Sequence, residues 1–269
     1  MSSAVDRINL RTMRSRQVVA HYSRHVRLLP HEQAALQTVA AQVRGEPILD
    51  IGVGGGRTVS ALREVSADYL GIDYSPEMIQ ACHKRYPGVR FEHADARRLE
   101  NIADGSIALA VFSCNGISMV GHEDRLQIMR EAYRVLRPGG VFLFTTYNRN
   151  CPEAAAGFRF PDFSPSLNPA RLLVRFGRWS LDTLVSLVQR QSNRRHEVHT
   201  SRFALLNDMC HNYGVMLYYI TLESQRRQLI DVGFEPNALA FDGNGRQISD
   251  DTVHDSMALV ARKGMRPAR

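Results

Sequence analysis

Short apolar runs alternate with amphipathic stretches through the first 150 residues of this 269-residue chain. The run 107–112 is apolar throughout, as in a central parallel strand that is covered on both faces. Residues 126–136 repeat apolar side chains at helical spacing and are followed by Pro-Gly-Gly at 138–140, which predicts a helix that ends there. Further runs predict strands at 47–51, 68–73, 89–93 and 141–146. These alternations predict an α/β fold with a parallel, doubly wound sheet.

The alternation is interrupted after residue 150 and returns near residue 215. Prolines at 152, 161, 165 and 169 predict an irregular segment, which a helix near 181–188 follows. Strands are then predicted at 215–220, 236–241 and 256–261, and helices within 1–28 and 31–43 precede the first strand. We therefore predict four parts: an N-terminal helical cap at 1–44, a core at 45–150, an insertion or substrate lid at 151–210, and completion of the core sheet by 211–269.

The formal net charge of +7 is unevenly distributed along the chain. One arginine-rich stretch lies within the first thirty residues, and a second extends from Arg171 to Arg195. Such stretches can bind acidic substrates or nucleic acid, although a solvated face is their commoner role. Because no arginine stripe is interleaved with aromatic side chains, the sequence argues against a nucleic-acid partner.

Localisation and metal content are inferred from what the sequence lacks. No apolar run approaches the length that spans a bilayer, and arginines throughout the first thirty residues leave no apolar signal segment there. We therefore expect a cytoplasmic protein with no membrane partner. The cysteines are scattered, and the stretch 196–199 lacks the spacing of the zinc motif H-E-x-x-H. We therefore expect reduced thiols and no bound metal.

A glycine-rich turn follows the first predicted strand, with glycines at 52, 54, 55 and 56. This spacing differs from the G-x-G-x-x-G of dinucleotide-binding loops. Asp50 lies on the strand just before the turn, where its carboxylate would repel a pyrophosphate but could hold an ammonium group. Asp73, Asp95 and Asn115 lie at or beside the ends of later strands, and ligands bind at this edge of doubly wound sheets. The sequence therefore predicts a ligand site at the carboxyl edge of the sheet.

Asp50 followed by a G-x-G-x-G turn resembles the first motif of class I S-adenosylmethionine-dependent methyltransferases. The resemblance covers residues 45–150 in order and residues 220–263 more loosely. It implies a Rossmann-like sheet of seven strands, mostly parallel with an antiparallel last strand, and it implies S-adenosylmethionine as the cofactor. The cofactor-binding residues that it implies are Asp50, Gly52, Gly54, Asp73, Tyr74, Met78, Asp95, Ala96, Ser113 and Asn115.

The resemblance also implies roles for several of these positions. Asp73 would bond the ribose hydroxyls, which suits a carboxylate because it can accept from both at once. Tyr74 and Met78 would flank the adenine, and Asp95 with the backbone of Ala96 would read the adenine edge. The ligand would then be an amino-acid nucleoside rather than a dinucleotide.

Candidates for a general base are few. Methyl transfer from an activated donor chiefly requires alignment, and a base is needed only where the acceptor atom carries a proton. His211 and Tyr213, after the insertion, are the candidate catalytic residues, and His122 is a further candidate. A capping or core role fits His211 equally well, and a helix-start role fits His122 better.

These features predict an S-adenosylmethionine-dependent methyltransferase that acts on an oxygen or nitrogen nucleophile of a small molecule, such as a sugar or a secondary metabolite. The basic stretches leave open an RNA or protein methyltransferase, although residues 113–116 lack the N-P-P-Y type of strand end. A catalytically inactive S-adenosylmethionine-binding protein is the third alternative. The expected partner is a small-molecule acceptor, and a homodimer is the candidate assembly.

Overall fold

The computed structural model describes residues 4–24, 27–155 and 157–265. The α-helices are α1 (Ala4–Met13), α2 (Arg16–Tyr22), α3 (Pro30–Gln37), α4 (Val59–Val65), α5 (Pro76–Arg85), α6 (His122–Val135), α7 (Pro169–Asn193), α8 (Cys210–Tyr213) and α9 (Leu222–Val232). Short 3-10 helices lie at Gly116–Met119, Pro152–Ala155 and Arg194–His196.

The strands form a single sheet. Their bounds are β1 (Ile48–Ile51), β2 (Tyr69–Asp73), β3 (Arg90–His93), β4 (Ile107–Phe112), β5 (Leu136–Asn148), β6 (Val198–His199), β7 (Phe203–Asp208), β8 (Val215–Ile220), β9 (Leu239–Asp242), β10 (Gln247–Ile248) and β11 (Ser256–Arg262). The strand order is β10-β9-β11-β5-β4-β1-β2-β3, with β6, β7 and β8 attached through a pairing of β8 with β5. Strands β1 to β5 pair in parallel, whereas β11 is antiparallel to both β5 and β9.

The mixed α/β sheet with a parallel centre confirms the predicted class of fold, but the strand count differs from the prediction. In the described residues the sheet has 11 strands rather than seven. The two-residue strands β6 and β10 are too short to leave an alternating pattern. Strand β7 lies within 151–210, the predicted insertion, and it pairs with β8, which lies within 211–269. The four-part division of the chain stays a prediction.

Side chains from successive residues of the central strands enter two different cores. Ile48 packs in the core beneath α3, α4 and α5. This core also contains Leu36 of α3 and Leu62 of α4. Leu49, the next residue, packs in the opposite core with Ile128 of α6. Successive side chains of a strand point to opposite faces, so an apolar run without alternation is what a strand covered on both faces requires. The two cores fix the carboxyl edge of the sheet between the two helix layers.

The insertion contains a much longer helix than the sequence predicted. Helix α7 has 25 residues, whereas the apolar pattern indicated only 181–188. Its start is locally encoded, because Pro169 occupies the first turn and the Asn168 side chain accepts a hydrogen bond from the Arg171 N–H. The arginines between 171 and 178 concealed the helical periodicity of the apolar residues. No helix of the described residues is both long and apolar enough to cross a bilayer.

Candidate active site

The glycine-rich turn lies at the carboxyl end of β1 and is closely packed. Gly52, Gly54 and Gly56 have φ values of 65°, 55° and 82°, a region that favours glycine. A Cβ atom on Gly52 would lie 2.5 Å from Cε2 of Phe112, and one on Gly55 would lie 2.5 Å from the backbone nitrogen of Ser23. The glycines therefore allow β4 and the N-terminal helices to approach the turn.

Asp73, at the end of β2, holds this turn. Its Oδ2 accepts a hydrogen bond from the Gly54 N–H at 2.9 Å, and its Oδ1 accepts one from the Ser75 N–H at 2.8 Å. Burial raises the pKa of the Asp73 carboxyl to about 6, although these hydrogen bonds favour the ionised form. Each carboxylate oxygen has a second lone pair, so Asp73 can accept further hydrogen bonds from ligand hydroxyls.

Asp50 lies beneath the turn. Its Oδ2 accepts hydrogen bonds from Thr58 Oγ1 at 2.5 Å and from the Tyr69 hydroxyl at 2.7 Å. Burial raises the pKa of Asp50 to about 6, and its Oδ1 has no hydrogen-bond partner among the described residues. Asp50 thus ties β1, β2 and the start of α4 together, and its contact with a ligand stays a prediction.

A narrow apolar slot of about 50 Å³ lies at the ends of β2, β3 and β4. Apolar side chains of Ile72, Ala94, Ala96, Phe112, Val120 and Ile128 line it, and its polar lining comes from Asp6, Asp73, Tyr74, Asp95 and Arg97. An apolar slot with acidic groups at its rim suits a flat aromatic base that carries an amino group. The predicted residues Asp73, Tyr74, Asp95 and Ala96 therefore lie together at this slot.

Arg97 connects three carboxylates beside the slot. It binds Asp95 through both carboxylate oxygens, with Nη2 at 2.6 Å from Oδ2, and its Nη1 lies 2.6 Å from Asp6 of α1 and 3.1 Å from Asp124 of α6. The Arg97 guanidinium holds the pKa of Asp95 below its usual value, against the effect of burial. Asp95 is therefore an ionised acceptor, and Arg97 fastens the first helix of the chain to the slot.

A second cavity, of about 120 Å³, lies beside the glycine-rich turn. The predicted residues that line it are Gly52, Gly54, Asp73, Tyr74, Met78, Ser113 and Asn115. Met78 lines this cavity and Tyr74 lines both, so the residues predicted to flank one ring are divided between the two cavities. Asn115 is buried and its Oδ1 has no hydrogen-bond partner among the described residues. An unpaired buried acceptor is costly, and an ammonium donor from a ligand would satisfy it.

The N-terminal helices line both cavities, and the sequence did not predict which of their residues do so. Met13 and Tyr22 line the second cavity, and Asp6 lines the slot. Helix α1 is fastened at its middle, where the Asn9 amide donates to the Met216 carbonyl at 2.8 Å and its Oδ1 accepts from the Met216 N–H at 2.8 Å. These contacts join residues more than two hundred positions apart, and no local pattern signals them.

The two predicted catalytic residues occupy different surroundings. His211 lies with its ring centroid 6.1 Å from that of Tyr22, and burial lowers its pKa. The Tyr213 hydroxyl accepts a hydrogen bond from the Arg159 N–H at 2.7 Å, and its ring stacks on Phe158. Their catalytic roles stay predictions.

Backbone strain is concentrated at this edge of the molecule. The non-glycine residues with positive φ in the described chain are Cys114, Asn115, His211, Asn212 and Tyr213. Such conformations cost roughly 1–3 kcal/mol each and persist where surrounding contacts impose them. The segment 211–213, within α8, therefore has left-handed rather than regular α-helical backbone. Hydrogen bonds hold it, since the side chains of Asn193 and Asn207 both donate to the Tyr213 carbonyl.

His122, the further base candidate, is the first residue of α6. Its ring stacks on Phe203 and forms a hydrogen bond with the Tyr218 hydroxyl.

A polar cavity of about 410 Å³ lies on the insertion side of the site. Its charged and phenolic lining residues are Arg149, Arg159, Arg190, Glu197, Asp208, Tyr213 and Tyr219. Tyr147 lines the second cavity, and its ring centroid is 5.3 Å from that of Tyr219. The Tyr219 hydroxyl donates to Asp208 at 2.6 Å. The Tyr147 and Tyr219 rings therefore lie between the second cavity and the polar cavity.

No group of three or more His, Cys, Asp or Glu side chains in the described part of the chain is arranged to hold a metal ion. The acceptors that line the two strand-end cavities are instead suited to hydroxyl and amine donors. Asp73 can take a diol, the Asp95 rim can take an exocyclic amine, and Asn115 can take an ammonium group. These donors are the ribose, adenine and amino-acid ends of S-adenosylmethionine, so the residues present fit that cofactor.

Comparison with known proteins identifies the class. Residues 48–140 match the family model described as a methyltransferase domain. Over 118 residues the chain is 31% identical to a probable S-adenosylmethionine-dependent methyltransferase of Mycolicibacterium smegmatis, and the match covers 44% of each protein. The chain thus spans about half the length of the curated relatives that it matches.

Solved structures share the fold at low sequence identity. The CcbJ methyltransferase of Streptomyces caelestis has a TM-score of 0.58 at 17% identity, over 88% of this chain and 91% of that one. The 1,6-didemethyltoxoflavin-N1-methyltransferase of Burkholderia thailandensis, solved with 1,6-didemethyltoxoflavin and S-adenosylhomocysteine, has a TM-score of 0.53 at 13% identity, over 87% and 78%. Residues 48–140 are therefore a methyltransferase domain on a Rossmann-like sheet, and the family match and the relatives support S-adenosylmethionine as the cofactor of this domain.

Proposed function

We propose that the protein transfers a methyl group from S-adenosylmethionine to an oxygen or nitrogen nucleophile of a polar small molecule. The observation that carries this proposal is the polar cavity of about 410 Å³ that adjoins the strand-end site across the Tyr147 and Tyr219 rings. This volume lies within the range typical of small-molecule sites. The acceptor therefore enters from the insertion side and meets the donor near these two rings.

The strand-end residues bind and orient the donor. Asp73 accepts hydrogen bonds from the ribose hydroxyls, and the slot beside Asp95 binds the adenine. Asn115 and the glycine-rich turn bind the amino-acid end. S-adenosylmethionine, when bound, supplies a methyl group on a sulfonium that is already activated for in-line displacement. The chain chiefly contributes alignment and exclusion of water, and the closely packed N-terminal helices serve both purposes.

The insertion side orients the acceptor. Burial raises the pKa of the Tyr147 and Tyr219 phenols well above the ordinary value, so both remain protonated. The Tyr219 O–H is donated to Asp208, so its oxygen can still accept a hydrogen bond from the acceptor, whereas Tyr147 can donate one. Arg149 and Arg159 line the cavity and favour an acceptor with hydroxyl or anionic groups. Where the acceptor atom carries a proton, His211 and Asp208 are the candidate groups to receive it.

A labelling experiment tests this function. The protein is incubated with S-adenosylmethionine labelled in the methyl group and with a cell extract that is separated into metabolite, RNA and protein fractions. We expect label in the metabolite fraction, with loss of transfer in Asp73→Ala. Label confined to RNA or protein would assign the acceptor to a macromolecule. Binding of S-adenosylhomocysteine without transfer to any fraction would indicate a cofactor-binding protein that does not catalyse.

For any acceptor found in this way, His211→Ala and Tyr213→Phe separate the roles of the two predicted catalytic residues. Full turnover in both variants would remove them from the mechanism. Tyr219→Phe tests the ring pair independently, because it removes the hydrogen bond to Asp208 and leaves the ring in place. We expect this variant to raise KM for the acceptor and to leave the affinity for S-adenosylhomocysteine unchanged.

A further inference from the structure

Helix α7 carries an unusual distribution of polar and apolar residues. It packs against the protein with its polar side, where Ser186 and Asn193 are buried and Asn193 donates to the Tyr213 carbonyl. The apolar side is turned outward. Its exposed apolar residues include Leu173, Val174, Phe176, Leu181, Leu184 and Val188, with Leu173 and Val174 each 73% exposed. Surface helices ordinarily bury such a stripe.

The loop before α7 extends the same apolar surface. Phe160 is 61% exposed and Leu167 is fully exposed. The loop is fixed to the helix, because Arg175 donates to the Pro165 carbonyl at 2.8 Å and the Trp179 indole donates to the Pro161 carbonyl at 2.8 Å. We call the exposed apolar residues of 160–188 the outer face of α7. A helix of this length is roughly 37 Å long, so the outer face is large for an exposed apolar patch.

Charge distinguishes among the surfaces that could cover this face. Residues 157–195 contain seven arginines and two aspartates, a net charge of +5 within a chain of +7. A symmetric dimer through the outer face would bring two such segments together and would be opposed by their repulsion. An anionic surface would instead be attracted by the exposed Arg171, Arg178, Arg194 and Arg195.

We propose that the outer face of α7 docks on a membrane surface that carries anionic lipids. An amphipathic helix with arginines on its polar side and Leu, Val and Phe on the other lies in the plane of the lipid headgroups, and both apolar burial and charge contribute to its binding. The expectation of no membrane partner rested on the lack of a spanning segment, and surface docking needs none. Arg190 on the inner side of α7 lines the polar cavity, so docking would bring the cavity close to the lipid surface.

Vesicle co-sedimentation of the full chain tests the proposal. We compare vesicles of phosphatidylcholine alone with vesicles containing phosphatidylglycerol. We expect binding to the anionic vesicles that is at least tenfold tighter and that weakens as salt is added. In the triple variant Leu173→Gln, Leu184→Gln and Val188→Gln, which leaves the charge unchanged, binding to anionic vesicles should fall at least tenfold.

A matched control removes exposed apolar side chains elsewhere on the molecule. Ile230 and Val253 are 48% and 72% exposed, and Ile230→Gln with Val253→Gln should leave vesicle binding unchanged. S-adenosylhomocysteine affinity reports folding of every variant and should not differ among them. Absence of binding to anionic vesicles at low salt would overturn the proposal. The proposal would also be overturned if the wild type self-associates and binds no vesicles, and if the triple variant loses this self-association. The outer face would then bind a second copy of the chain.

Discussion

Gly52 and Gly177 show how differently the strand-end site and the insertion are constrained. At Gly52 the backbone has a φ of 65°, and an added Cβ would lie 2.5 Å from the Phe112 ring. At Gly177, within α7, an added Cβ would have no heavy atom within 4 Å apart from the neighbouring backbone of the helix itself. The strand-end site is determined by close approach of buried elements, whereas the insertion presents side chains to its surroundings. The same substitution should therefore have opposite effects in the two regions.

The largest effect is expected from Gly52→Ala. The unfavourable φ and the overlap with Phe112 should together lower the free energy of unfolding by roughly 2–6 kcal/mol. Urea denaturation measures the change. Gly105→Ala is the matched control, because Gly105 has the same φ of 65° but the atom nearest to its added Cβ, the Arg137 Cα, is 3.9 Å away. Equal losses in the two variants would show that the Phe112 contact contributes nothing.

Loss of the arginine that fastens α1 to the slot should have the next largest effect. In Arg97→Met the carboxylates of Asp6, Asp95 and Asp124 would face one another without a cation, so we expect S-adenosylhomocysteine affinity to fall by about 10- to 100-fold. Isothermal titration calorimetry measures it, and Arg98→Met, at an exposed neighbour, is the control. Affinity within twofold of the wild type would contradict the role of Arg97.

A smaller effect should follow from pH. Because burial raises the pKa of Asp73 to about 6, the carboxyl is increasingly protonated as the pH falls through this value. Ribose hydroxyls donate to the ionised form, so ligand binding competes with a proton, and affinity should fall by about tenfold per pH unit well below pH 6. Calorimetry between pH 5 and pH 8 measures how the affinity for S-adenosylhomocysteine depends on pH. These limits lie roughly one and two units from the pKa of Asp73. Asp73→Asn should bind weakly and without this slope, and a slope that persists in Asp73→Asn would assign the titration to another group.

The smallest effect is expected in the insertion. Gly177→Ala replaces an exposed helical glycine, and helix propensity should raise the free energy of unfolding by up to about 1 kcal/mol. Thermal denaturation measures the change, and S-adenosylhomocysteine affinity should remain that of the wild type. A destabilised variant would indicate that α7 makes contacts at residue 177 that the structure does not contain.

The same comparison explains what the sequence could reveal. The parallel core follows from apolar runs and strand-end polar residues, and Asp73, Asp95 and Ala96 do lie together at one slot. Local signals of this kind survive because strand, turn and helix are each encoded within a few residues. The length of α7 was hidden because its apolar side faces outward and its arginines interrupt the expected pattern.

Contacts between distant segments left no local signal. Glu32 binds Arg57 of the glycine-rich turn at 2.6 Å and also accepts from the Cys114 N–H, which links α3 to two strand ends. The sequence predicts that Asp50 contacts the ligand, yet two of its hydrogen bonds go to Thr58 and Tyr69. Pairings of this kind depend on tertiary proximity, which residue spacing alone does not report.

The central claim is that the carboxyl edge of the sheet, with Asp73 at its centre, binds the cofactor. Titration calorimetry of S-adenosylhomocysteine against Asp73→Ala tests it most directly. Asp68→Ala is the control, because Asp68 is an exposed carboxylate just before the start of the same strand. Loss of two hydrogen bonds to a charged group predicts at least about a 100-fold weaker affinity for Asp73→Ala, with Asp68→Ala like the wild type. Undiminished binding by Asp73→Ala would contradict the account.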